Sequence, residues 1–248
     1  MHYLDYAATT PVPAQVAEVM VKVLTEDFGN PSAQYPLGRA ARDLVEESRA
    51  AVAEALGAPP RQLLFTSCGT EGDNWAIRAA LWQNRRVGKH IVSTAVEHSA
   101  VLQCLKALEQ EGYEVTLVKP DGAGRVAAEA VFAAVREDTA LVSMMLVNNE
   151  TGVRLPVEAV AAALKDTPVL LHTDAIQGFL KVPFTAASLG ADLITLSGHK
   201  VGGPKGVGAL YWGGKMRAPR PLLHGGGQGQ GLRPGTEATA QIAGFAAA

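Results

Sequence analysis

Lys200 closes the turn Ser197-Gly198-His199-Lys200, directly after the apolar run 193–196 and just before Gly202-Gly203-Pro204. A lysine emerging from a sheet edge into a partly desolvated pocket gives up its proton readily and can form a Schiff base with a carbonyl. The plain alternative is a solvated surface lysine. Asp174 ends the run 169–173. A carboxylate there could pair with a protonated ring nitrogen, or could cap a helical segment over 175–180. Gln177, three residues on, could donate to a phenolate oxygen. Ser67-Cys68-Gly69-Thr70 precedes a helical stretch over 71–81. Gly69 and Thr70 would offer backbone amides and a hydroxyl at a helix start, an arrangement that binds phosphate; plain capping by Thr70 is the competing role. Ser197 and His199 could add donors to the same phosphate. His98 follows the run 90–94 and could stack on a planar cofactor or shuttle protons, or it could be structural.

The elements that must position these residues alternate along the chain. Short apolar runs at 63–66, 90–94, 115–118, 140–147, 168–173, 192–196 and 208–212 predict buried strands. Helical spacing predicts helices over 37–56, 99–111, 127–136 and 157–165; the first carries Leu44, Val45, Val52 and Leu56 on one face. This alternation predicts an α/β fold, a mostly parallel sheet with helices on both faces, whose ligand site lies beyond the carboxyl ends of the strands. Polar turns stand at those ends: 67–71, Val96-Glu97-His98, Asn148-Asn149-Glu150-Thr151-Gly152, 174–177 and 197–200. Five such turns in one sheet predict a single polar ligand along its edge. The stretch 241–248 reads as the start of an apolar helix with little left to pack against, and so as the end of an incomplete chain.

Composition narrows the class. Of 248 residues, 48% are hydrophobic and 19% charged, the balance of a globular core. With 22 Lys+Arg against 24 Asp+Glu the net charge is −2, which argues against a nucleic-acid partner. No run of about 18 apolar residues predicts a membrane span. The start MHYLDYAATTPVP lacks the pattern of a secretory signal, so a cytoplasmic location is expected. Two cysteines, Cys68 and Cys104, build neither a disulfide scaffold nor a four-cysteine zinc site, and no metal site is expected. No G-x-G-x-x-G follows a strand, and Gly214-Lys215 is followed by Met216, so neither nucleotide-binding glycine motif is present.

The ordered turns, with Tyr3-Leu4-Asp5-Tyr6-Ala7-Ala8-Thr9-Thr10, Phe28-Gly29-Asn30-Pro31-Ser32, Gly203-Pro204-Lys205-Gly206 and Arg233-Pro234-Gly235-Thr236, resemble cysteine desulfurases of the NifS/IscS type, in the class V aminotransferase family. The resemblance spans nearly the whole chain. It implies the large domain of a fold-type I pyridoxal 5'-phosphate enzyme over residues 13–248, with residues 1–12 reaching towards a small domain. It implies Lys200 as Schiff-base lysine and base, Asp174 at the pyridine nitrogen and His98 stacked on the ring. Asn149 and Gln177 would stand on the phenolate side, and Gly69, Thr70, Ser197 and His199 at the phosphate. Thr236 matches a threonine that reaches the phosphate of the other subunit of a homodimer. The implied reaction takes sulfur from L-cysteine, leaves L-alanine and passes a persulfide to a sulfur acceptor or Fe-S scaffold protein. The family's nucleophilic cysteine and substrate-carboxylate arginine lie later than the Arg-x-Gly-Thr segment; Cys68 and Cys104 are expected to be structural. Two other readings remain open: a selenocysteine lyase or aminotransferase-like relative, and a non-catalytic scaffold of the same fold.

Overall fold

The computed structural model describes residues 2–248. Its seven strands are β1 (Leu63–Thr66), β2 (His90–Thr94), β3 (Glu114–Val118), β4 (Thr139–Ser143), β5 (Leu170–Asp174), β6 (Leu193–Ser197) and β7 (Gly208–Trp212), in the order β1-β7-β6-β5-β4-β2-β3. Strands β2 to β6 pair in parallel; β7 is antiparallel to both β6 and β1. The first six strands therefore point one way, and their carboxyl ends share one edge of the sheet.

The helices are α1 (Ala14–Thr25), α2 (Pro36–Leu56), α3 (Gly69–Gln83), α4 (Ser99–Gln110), α5 (Ala128–Ala133), α6 (Val157–Leu164), α7 (Ala186–Leu189) and α8 (Thr239–Ala247). Alternate residues along each strand enter opposite layers, as the two-residue period requires. Leu64, Ile91, Leu141, Leu170, Leu193 and Leu210 pack under α3 and α4, against Trp75, Ile77, Leu81, Leu105 and Leu108. Phe65, Val92, Val142, Leu171, Ile194 and Tyr211 face the other layer with α2, α6, α7 and α8. Burying each large apolar side chain contributes roughly 1.5–3 kcal/mol.

Three expectations are corrected. The strand over 140–147 ends at Ser143. Beyond it the Met144 and Leu146 amides still donate to the His172 and Asp174 carbonyls of β5, while on the β2 side the Met145 amide donates to Glu97 Oε1 at 3.0 Å and Val147 bridges Arg154. The segment 175–180 is a series of turns, not a helix; Leu180 adopts a left-handed φ of 56°, which a helix cannot include. The stretch 241–248 does have a surface to pack on. It forms most of α8, which lies against α1 and α2 and buries Ile242 and Phe245. The sequence reading missed α1, a valine-rich segment that buries Val16 and Val23. No helix among the described residues is long and apolar enough to cross a membrane.

Candidate active site

A cavity of about 350 Å³ opens at the carboxyl ends of β1, β5 and β6. Lys200 enters it from the short 3-10 turn Gly198–Lys200 that follows β6. Its Nζ donates to the carbonyls of Ala7 at 2.5 Å and Ala8 at 2.8 Å. Burial pushes its pKa below the ordinary lysine value, while the negative charges of Asp174 and Asp5 oppose that shift. Asp174 is the last residue of β5 and almost fully buried. One carboxylate oxygen accepts the Ile176 N–H at 2.9 Å in a local turn, in place of the expected helix cap. Burial raises its pKa, and the Ile176 amide, His98 and Lys200 counter the rise.

The first turn of α3 forms another wall, through Cys68, Gly69 and Thr70. The helix begins at Gly69, with Cys68 in the cap position and no side-chain cap, so Thr70 lies inside the first turn and is not the expected cap. A Cβ on Gly69 would fall 2.1 Å from Ile176 Cδ1, so a larger residue there would push that side chain aside where α3 meets the turn after β5. Ser197, at the end of β6, and His199 line the same side. His199 Nδ1 is 3.1 Å from Thr9 Oγ1; burial, then Lys200, lowers its pKa. The start of α3 is also tied down from outside. Glu71 Oε2 accepts the Ser67 N–H at 2.7 Å, and Arg233 grips the same carboxylate with bonds of 2.9 and 3.0 Å.

His98 is the cap residue of α4: its Nδ1 accepts the Ala100 N–H at 3.1 Å. That bond leaves Nε2 to carry the proton of the neutral ring. Gln177 donates to the Ala7 carbonyl at 2.7 Å and accepts from Lys181 Nζ at 2.8 Å. Asn149 donates to Glu150 Oε1 at 2.7 Å. The structure thus brings Lys200, Asp174, His98, Gly69, Thr70, Asn149, Gln177, Ser197 and His199 to one cavity. Thr236 is exposed and does not line it.

Two groups that the sequence showed without a role at the site, and one residue it did not single out, also contribute. Residues 5–10 cross the cavity mouth, where Asp5, Ala7 and Ala8 line it and Thr10 donates its N–H to the His199 carbonyl at 2.9 Å. Asp73 of α3 lines the floor, fully buried. Glu97 lies buried beside the cavity, and burial pushes its carboxyl up to about 8. Glu97 does belong to a polar turn at a strand end, a usable signal; Asp73 sits inside a helical pattern and gave none.

The family model described as Aminotransferase class-V matches residues 2–248. Cysteine desulfurase IscS of Methanosarcina thermophila is 43% identical over 243 residues, covering 98% of this chain and 60% of the relative. Its counterpart in Shewanella pealeana is 45% identical over 247 residues, covering 98% and 61%. A solved NifS-like protein superposes with a TM-score of 0.94 at 40% identity, over 98% of this chain and 67% of that one. DndA from Streptomyces lividans gives 0.85 at 42% identity, over 99% and 70%. The chain spans about 60% of the length of the curated relatives it matches. A match that takes in all but the first residue, on a sheet whose strand ends carry the lysine and the aspartate, makes this chain a member of the class V aminotransferase family.

Proposed function

We propose that this chain is the cofactor-binding part of a pyridoxal 5'-phosphate-dependent cysteine desulfurase, which takes sulfur from L-cysteine, leaves L-alanine and hands the sulfur on as a persulfide. One observation carries the reading: an amine and a buried carboxylate, Lys200 and Asp174, enter a single cavity from adjacent strands, opposite the first turn of the 15-residue helix α3. The donor set fits the group. Gly69 keeps the wall of the cavity free of a side chain, and the Thr70 and Ser197 hydroxyls make no hydrogen bond among the described residues.

Bound there, the pyridinium ring of the cofactor withdraws electrons from the amino acid's α-carbon. The protein's part is to hold and move protons. Asp174 would keep a proton on the ring nitrogen. Lys200, with its pKa lowered by burial, would provide the amine that joins the aldehyde and then take up and return the proton at the α-carbon. His98 would lie over the ring with its proton on Nε2. Amides and hydroxyls at Gly69, Thr70, Ser197 and His199 would hold the phosphate, with Asn149 and Gln177 on the phenolate side.

Sulfur transfer also needs a thiolate. Cys104 is buried, its thiol pushed up to about 11, and Cys68 is fixed at the start of α3, so neither is assigned that role. The wider reading is a homodimer in which Thr236 serves the partner's phosphate, with a sulfur acceptor or Fe-S scaffold protein as partner, working in the cytoplasm on Fe-S cluster or thio-cofactor assembly.

The test is a titration with pyridoxal 5'-phosphate. Wild type should develop a visible absorption band that Lys200→Ala does not form, and Asp174→Ala should bind the cofactor about tenfold or more weakly. A band of equal strength in Lys200→Ala would refute the assignment.

A further inference from the structure

Among the described residues, four buried side-chain oxygens have no hydrogen-bond partner: both carboxylate oxygens of Asp73, Glu97 Oε2 and Thr173 Oγ1. Thr173 precedes Asp174, Asp73 lines the same cavity as Asp174, and Glu97 lies close enough for the Asp174 charge to act on it. Unpartnered buried oxygens are costly; Thr173 faces the opposite layer of the sheet from Asp174, so the orphaned oxygens that bear on Asp174 are those of Asp73 and Glu97. Three buried carboxyl groups therefore lie within electrostatic reach of one another, two of them in the cavity that Lys200 enters, and burial disfavours three negative charges there together.

The cations and donors are unevenly divided. Asp174 has the Ile176 N–H at 2.9 Å, with Lys200 and His98 acting on its charge. Asp73 has none of these. The titratable groups around it are Asp174 and His172 on β5, Glu97 before α4, Cys104 on α4 and Cys68 at the start of its own helix. Burial disfavours its ionised form most, followed by the charge of Asp174; the Thr195 hydroxyl favours that form, and Glu97 and Cys68 again disfavour it. His172 Nε2 is 3.6 Å from Asp73 Oδ1, too far for a hydrogen bond. The His172 ring is already matched to Ser143 Oγ at 2.9 Å and Thr195 Oγ1 at 3.0 Å, and burial holds its pKa near 3, so it supplies no compensating charge.

We propose that Asp73 is a positioning residue: it is the neutral, proton-bearing carboxyl behind Asp174, and it leaves Asp174 as the one carboxylate charge that a ligand's ring nitrogen meets. This rests on the cofactor reading for its consequence, but the protonation itself belongs to the chain alone. A neutral carboxyl is mimicked by an amide, so Asp73→Asn should behave as wild type, whereas an ionised Asp73 would not tolerate that exchange silently.

The first arm uses the protein without cofactor. At pH 7.5, infrared spectra of wild type labelled with 13C-aspartate should show a labelled carboxylic-acid stretch; Asp73→Asn should lose it and Asp174→Asn should keep it. Absence of that band in wild type, or its loss only in Asp174→Asn, would overturn the proposal. If Asp73→Asn does not fold, 13C carboxyl titration of wild type by NMR decides: one aspartate must still be protonated at pH 7. The second arm adds pyridoxal 5'-phosphate. Asp73→Asn should keep the cofactor's dissociation constant within about twofold and the pH midpoint of its visible band within about 0.3. A midpoint displaced by about one unit or more would mean that Asp73 carries charge beside the ring and would refute the proposal. If wild type binds no cofactor, the functional reading fails while the infrared result still decides the state of Asp73.

Discussion

At the scale of single residues, Glu97 combines a structural and an electrostatic role. Its Oε1 accepts the Thr94 hydroxyl at 2.5 Å and the Met145 amide at 3.0 Å, so it pins the loop before α4 to the segment after β4. Burial raises its pKa from 4.5 to about 8. The folded state thus keeps a proton that the unfolded chain has already lost, and this contribution to stability falls as pH rises from 4.5 to about 8. The slope is at most about 1.4 kcal/mol per pH unit. Glu97→Gln preserves the acceptor and removes the titration, so denaturation at pH 5 and pH 8 should show a smaller loss of stability across that interval than in wild type. An equal loss would mean that Glu97 is not the titrating group. His172 acts in the opposite sense: its pKa drops from 6.5 to about 3, so its contribution is lost as pH falls through that window. Lys200, Asp174 and His98 were legible in the sequence because each ends or follows a short apolar run, where the chain leaves a sheet. Asp73 was not, because an aspartate within a helical pattern looks like any solvated face until the strand beneath it is known.

At the scale of elements, β7 starts in close contact with the ends of β1 and β6 and with the residue before α3. Gly208 begins β7 between β1 and β6, and a Cβ there would meet the Leu196 carbonyl oxygen at 2.6 Å and the Cys68 carbonyl carbon at 3.0 Å. Both are backbone atoms and cannot rotate away. Gly208→Ala is expected to cost roughly 1–3 kcal/mol, read as a lower denaturant midpoint at an unchanged slope. An unchanged midpoint would show that the strands can separate at little cost. The buried strands were readable from their aliphatic runs, and β1, β2 and β7 fall on the predicted residues. The end of β4 was not readable, since Met144, Met145 and Leu146 continue the apolar run. There the Glu97 side chain, rather than a change of residue type, takes the Met145 amide on the side where β2 had been the partner. Helix α1 was missed because its valines resemble a strand; its place is decided by burial of Val16 and Val23, with α8 as neighbour.

At the scale of the whole molecule, six codirectional strands gather separate turns on one rim, and residues 5–10 cross it. Lys200 Nζ is held by two carbonyls of that crossing segment, so a ligand that claims the amine must also release Ala7 and Ala8. Lys200, among the lysines near this rim, is the one proposed to join an aldehyde. Its neighbours Lys181 and Lys205 provide internal controls, since both act on the charge of His199 alongside Lys200. The most direct measurement is to add pyridoxal 5'-phosphate, reduce with borohydride, digest and locate the added mass by peptide sequencing. The label is predicted at Lys200 and should be lost when Lys200→Ala is treated in the same way. A label at Lys181 or Lys205 in wild type, or none at a concentration that saturates the visible band, would rule out Lys200 as the reacting amine.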